Sequence, residues 1–102
     1  QGARINGQTE LGGGVTEAGD EIGTYGVAGW SVIKLSKGVY KVTYVRAFTS
    51  IPFPIVTSTQ GAGRMVSLQS ITTTSFEVHT RGPDGSMQDS SFNFYVRGPV
   101  PN

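Results

Sequence analysis

The feature that most narrows the fold is a two-residue alternation running, with breaks at turns, through WSVIKLSKGVYKVTYVRAFTSIPFPIVTST, residues 30–59. Tyr40, Val42 and Tyr44 take turns with Lys41 and Thr43, as in a strand with one buried face. Ser36-Lys37-Gly38 separates this strand from the one before it; glycine accepts the positive φ of a tight hairpin. A third strand follows the proline-bearing crossing at Pro52 and Pro54. No helical period of useful length appears, so the expected fold is all-β.

Strands are expected at about Trp30–Leu35, Val39–Val45, Ile55–Thr59, Met65–Ile71, Phe76–Thr80 and Phe92–Arg97. A spacing of roughly ten to fifteen residues, with turn signals between, is the pattern of an antiparallel sandwich or barrel. Gln60-Gly61-Ala62-Gly63 divides the third and fourth strands, and Thr72 to Ser75 resembles a tight hairpin. Arg81 opens the longest loop, where Pro83-Asp84-Gly85 is turn chemistry: proline presets φ and glycine absorbs the return.

At 102 residues the chain suits one domain with a modest core. Val, Thr, Ser, Tyr and Phe are plentiful, and 15 glycines is about twice the usual share. Cysteine is absent, so neither a disulfide framework nor a thiolate ligand is available. A formal charge of +1, with basic residues scattered singly, gives no electrostatic case for nucleic acid. No run approaches the roughly 18 apolar residues of a membrane span, so membrane insertion is not expected. The chain opens at Gln1 rather than Met, which suggests a fragment or a processed product.

Residues 1–27 read differently from residues 28–102. Gly12, Gly13, Gly14, Gly19, Gly23 and Gly26 are interspersed with Glu17, Asp20 and Glu21. Ala3–Asn6 and Ile22–Tyr25 are short strand candidates without apolar mass for a core of their own. A loose leading segment is therefore expected, ordered only where it lies against something else.

Several strands are apolar on both faces. Trp30 and Val32 point one way while Ile33 and Leu35 point the other; Val39 and Val45 share a face with Lys41. A small sandwich buries one face of each sheet and wets the other. Each large side chain buried is worth roughly 1.5–3 kcal/mol, so a neighbouring subunit would gain from covering them. Stray surface apolars are the simpler reading of any one of these residues.

The case for catalysis is thin. His79 is the only histidine and falls opposite Phe76 and Val78, on a surface face. A triad needs more than this, and a metal site needs three or four ligands; three copies of His79 on a threefold axis are the one arrangement that would supply them. Glu17, Asp20 and Glu21 sit in a poorly anchored segment, whereas paired-carboxylate catalysis depends on positioning. The glycine runs lack the Lys-Ser/Thr of a phosphate cradle. No cofactor or metal is expected.

Binding is better supported. In the 81–90 loop, Arg81, Asp84, Gln88 and Asp89 offer planar polar groups of the kind that hydrogen-bond sugar hydroxyls. Tyr25, Tyr95 and Trp30 are aromatics able to stack on a sugar face. Arg81, Asp84, Gln88 and Tyr95 are the candidate binding residues. Asp84 is equally a turn residue, and tryptophan is more often core than platform.

The pattern Gly29-Trp30-Ser31-Val32, then Gly38-Val39-Tyr40-Lys41-Val42-Thr43-Tyr44, Ala47-Phe48 and Pro54-Ile55-Val56 resembles the carboxy-terminal receptor-binding domains, the tips or knobs, of bacteriophage tail fibres. Residues 70–78 look like that family's hairpin and residues 89–98 like its closing strand. Tyr44 stands where a phenylalanine is usual. Phe53, between Pro52 and Pro54, is a second departure, its ring suited to an interface. The resemblance implies an antiparallel β-sandwich, a jelly-roll-like knob, forming a homotrimer, with residues 1–27 as the stem-to-knob transition. It further implies a virion protein attached to the remainder of the tail fibre. Its partner would be a bacterial cell-surface glycan or lipopolysaccharide, bound without catalysis. The alternative is a trimerisation and capping module with no ligand of its own.

Overall fold

The computed structural model describes residues 8–26, 29–61 and 63–100, and these form eight strands and no helix. In chain order they are β1 (Gln8–Val15), β2 (Glu21–Gly26), β3 (Trp30–Ser36), β4 (Val39–Tyr44), β5 (Phe53–Ser58), β6 (Met65–Gln69), β7 (Ser75–Arg81) and β8 (Phe92–Pro99). They build two four-stranded sheets, β2-β1-β8-β5 and β3-β4-β7-β6, in which every pairing is antiparallel. The sheets pack face to face as a sandwich.

Alternation decides which side of each strand enters the core. Tyr40, Val42 and Tyr44 of β4 and Phe76 and Val78 of β7 face Phe92, Phe94 and Val96 of β8 across the interior. Five ring contacts run through this layer. Trp30 meets Phe94 edge-on at 4.7 Å, Phe94 meets Phe76 at 5.5 Å, and Phe76 meets Tyr44 at 5.9 Å. Tyr44 meets Phe48 at 4.9 Å, and Tyr40 meets Phe92 at 5.3 Å. Such pairs add about 0.5–1.5 kcal/mol each beyond the area they bury. Burial pushes the Tyr44 hydroxyl pKa up, and that oxygen has no hydrogen-bond partner.

All six strands expected from residue 30 onward are present. β5 starts earlier than expected and takes in Pro54; as an edge strand it tolerates the missing amide donor. β6 stops at Gln69 because Ser70 turns with φ 51°. Gly38 makes its hairpin at φ 74°. At the β6–β7 turn, Ser75 donates its amide to Thr72 Oγ1 at 3.0 Å. Three hairpins, β1–β2, β3–β4 and β6–β7, each stay within one sheet, so the likeness to a jelly roll lies in the number of strands and sheets.

The expected loose leading segment is corrected for residues 8–26. They supply β1 and β2, and β1 lies between β2 and β8 with Leu11 and Val15 fully buried. What orders the glycine run is the far sheet. A Cβ on Gly13 would stand 2.4 Å from Trp30 Cζ2, so the indole occupies the side-chain position that glycine leaves empty. Its Nε1 donates to the Gly12 carbonyl at 3.2 Å. At Gly13, where β1 has no side chain, the strand thus borrows its core contact from β3. The Ala3–Asn6 strand candidate lies outside the described residues.

Gly13→Ala should therefore destabilise the fold by about 1–3 kcal/mol through overpacking against the indole. Urea unfolding followed by tryptophan fluorescence reads this as a lowered midpoint at unchanged slope. An unshifted midpoint would mean that Trp30 does not rest on Gly13.

Candidate functional site

Of the four expected binding residues, Arg81 closes β7 and Asp84 and Gln88 lie in the loop that follows it to β8; Arg81 and Asp84 are bonded within this segment. Gly82 donates its amide to the Ser86 carbonyl at 2.9 Å, and Gly85 to the Gly82 carbonyl at 3.0 Å. Asp84 Oδ1 accepts from the Ser86 hydroxyl at 2.7 Å and the Ser86 amide at 3.0 Å; these bonds hold its carboxyl below the usual range. Arg81 Nη1 donates to the Gly85 carbonyl at 3.1 Å. The Gln88 side chain lies across Gly82, where a Cβ would come 2.6 Å from its Cδ.

Asp89 knots this loop to the rest of the chain. Its carboxylate accepts from Lys34 Nζ at 2.5 Å and from the Gly38 amide at 2.8 Å. Its carbonyl accepts from Arg64 Nε at 3.0 Å. Partial burial pushes its pKa up, but the Lys34 and Gly38 bonds outweigh that and hold it below the usual value. Alongside, Tyr40 donates its hydroxyl to the Glu17 carbonyl at 2.7 Å and accepts from the Ser90 amide at 3.3 Å. Burial, with the Asp89 charge, pushes that hydroxyl up to about 12. Three turns and the long loop are thereby fastened at one end of the sandwich.

Tyr95, the fourth candidate, is not with the other three. It stands on the outward side of β8, on the outer face of sheet β2-β1-β8-β5, while Arg81 belongs to the other sheet. Trp30 is core rather than platform, and the Tyr25 side chain lies outside the described residues. His79 lies on the outer face of β7, with Nε2 3.1 Å from Glu77 Oε1. Glu17, Asp20 and Glu21 are exposed around the β1–β2 turn. Among the described residues, no three of His, Cys, Asp and Glu converge as metal ligands.

Tyr95 belongs to a face that the sequence left undivided. Register places Glu10, Arg97 and Phe53 in one row, Gly12, Tyr95 and Ile55 in the next, and Gly14, Asn93 and Thr57 in a third. Phe53 is 79% exposed and Ile55 64%. Together with Tyr95, Arg97, Gly98 and Pro99 they line a hollow of ≈ 500 Å³. The Tyr95 hydroxyl donates to Glu10 Oε1. Beside this, Gly12 and Gly14 floor a trough of ≈ 380 Å³ flanked by Ile22, Thr24 and Asn93. The Asn93 carboxamide leans over Gly14, its Oδ1 2.8 Å from where a Cβ would sit. The signal in the sequence was Phe53 and Ile55 at alternate positions, masked by the prolines around them.

The outer face of the second sheet is aliphatic and charged. Ile33 is 56% exposed and Leu35 48%, with Met65 at the far edge. Between them Ile33, Lys41, Glu77 and Gln69 form one cross-strand row, and Val39, His79 and Ser67 the next. The expected second-face positions of Ile33 and Leu35 are those observed. Comparison of the chain with protein-family models, with curated proteins and with solved structures gave no match.

The Asp89 knot has a pH signature. A carboxyl held below its unfolded value contributes stability above that value and loses it as pH falls through the folded one. Asp89→Asn should cost about 1–2 kcal/mol at neutral pH. It should also shrink the loss of stability seen on acidifying from neutral pH to below 3.8. Thermal unfolding of both proteins across that range checks it; parallel pH profiles would remove Asp89 from this role.

Proposed function

We propose that this chain is the distal tip of a bacteriophage tail fibre and recognises the bacterial host surface by binding, without catalysis. Its partner on this reading is a cell-surface polysaccharide or lipopolysaccharide, and the knob is a homotrimer joined to the remainder of the fibre. The observation that carries the reading is the pair of opposed outer faces, each with large apolar side chains in water. The sequence resemblance over residues 29–98 supports it independently.

The two faces suit different tasks. Ile33, Leu35, Val39 and Met65 offer aliphatic surface interrupted by Lys41, Glu77 and His79, a mixture suited to contact between copies. Copies meeting there turn the Phe53–Tyr95 face outward, toward a host. Three copies on one fibre, and many fibres on one particle, raise avidity without strong single contacts. The capping reading is favoured by the same aliphatic face taken alone, since closing a fibre requires only that contact.

Two measurements test the proposal. The native mass should be three times that of one chain, and Ile33→Glu with Leu35→Glu should reduce it to one; a folded wild-type monomer at micromolar concentration would refute the trimer. Soluble knob should compete with whole phage for adsorption to host cells, and host range should follow the domain when tips are exchanged. Assembly without competition would leave the capping module as the function.

A further inference from the structure

We infer that the outer face of sheet β2-β1-β8-β5 is the sugar-binding site, and that its ligand is an extended, unbranched stretch of pyranose units. The inference rests on the recognition reading above and locates it away from the long loop. Three observations carry it.

The first is relief. Gly12 and Gly14 leave the outward side of β1 bare beyond Glu10, while its neighbours keep Ile22 on one flank and Asn93 and Tyr95 on the other. Strands lie about 4.8 Å apart, so the flanks of the trough are roughly 9–10 Å apart, wide enough for a single polymer chain. Gly12 is held to glycine by the fold, because a Cβ there would stand 2.5 Å from the Phe94 carbonyl oxygen. A second sheet laid on this face would bridge the trough and leave it unfilled, losing the contacts on which protein interfaces depend.

The second is chemistry. The hollow beside the trough presents Phe53, Ile55 and Tyr95, apolar and aromatic surface of the type that meets the C–H face of a pyranose. On the same face stand Arg97 and Asn93 of β8, Glu10 of β1 and Thr57 of β5, with Glu10 bonded to the Tyr95 hydroxyl. A protein partner burying this face would desolvate those polar groups at a cost. Sugar hydroxyls can hydrogen-bond the exposed Asn93 carboxamide and Thr57 hydroxyl.

The third is rigidity. Every one of these side chains rises from a hydrogen-bonded strand, and β8 is paired on both sides. Little ordering entropy is lost when a ligand settles on such a surface. In the 82–91 loop, Asp84 bonds Ser86, and Asp89 bonds Lys34, Gly38 and Arg64.

The test uses native knob, immobilised purified O-antigen and capsular polysaccharides, and intact host cells as a second surface. Phe53→Ala should weaken binding of the retained polysaccharide about tenfold per site. Phe53 is too exposed for this to unfold the chain. Gly14→Ala puts a methyl in the trough, where the Asn93 carboxamide must yield and the Ile22 carbonyl give by a few tenths of an ångström, and should weaken binding similarly. Arg81→Ala, at the end of β7 in the other sheet, should leave it unchanged. Loss with Arg81→Ala and retention with Phe53→Ala and Gly14→Ala would overturn the site while leaving recognition intact. Binding to cells but to no polysaccharide would overturn the ligand class. A change of native mass in Phe53→Ala would make the face an interface between copies and overturn the site. Failure to bind either surface would remove the recognition reading and this inference with it.

Discussion

The contact on which the rest of the structure depends is the indole of Trp30 lying on Gly13. It joins the two sheets at the one place where β1 has no side chain to offer, and its hydrogen bond to the Gly12 carbonyl fixes the height at which they meet. From there the ring contacts pass through Phe94 and Phe76 to Tyr44 and Phe48. A packed interior transmits strain rather than absorbing it, so the position of β1 is set by the far side of the core. With β1 in place, β2 can pair along its open edge and the sheet becomes four strands wide.

Much of the architecture was legible in the residues. Tyr40, Val42 and Tyr44 announced β4, Phe76 and Val78 announced β7, and the opposed placement of Ile33 and Leu35 followed from alternation alone. Residues 8–15 were not legible, for a physical reason. Periodicity is carried by side chains, and a strand reading Leu-Gly-Gly-Gly-Val has almost none. Its order comes from a tryptophan seventeen residues further along, a contact that no local pattern encodes. The prolines about Phe53 hid the first half of β5 in the same way, since proline argues against a strand unless the strand is known to be an edge.

The proposed binding face was only partly legible. Tyr95 was singled out as an aromatic platform and stands on an exposed sheet face. Arg81, Asp84 and Gln88 were singled out for their planar polar groups, but the Arg81 guanidinium and Asp84 carboxylate bond within their own segment and Gln88 packs on Gly82. Sequence cannot separate a polar side chain offered to a ligand from one that closes its own turn, because both uses favour the same residues. Asp89 shows the difference most clearly: a carboxylate in a loop that gathers Lys34 and Gly38 and, through its carbonyl, Arg64.

On the proposed reading the sandwich has an aliphatic face shielded by other copies and a troughed aromatic face open to a ligand. Hydroxyl-radical footprinting of the native particle reads both at once, side chain by side chain. Heavy labelling of Phe53 and Tyr95, with Ile33, Leu35 and Met65 protected relative to a dissociated variant, is the result this division predicts. Protection of Phe53 and Tyr95 with full labelling of Ile33 and Leu35 would contradict it.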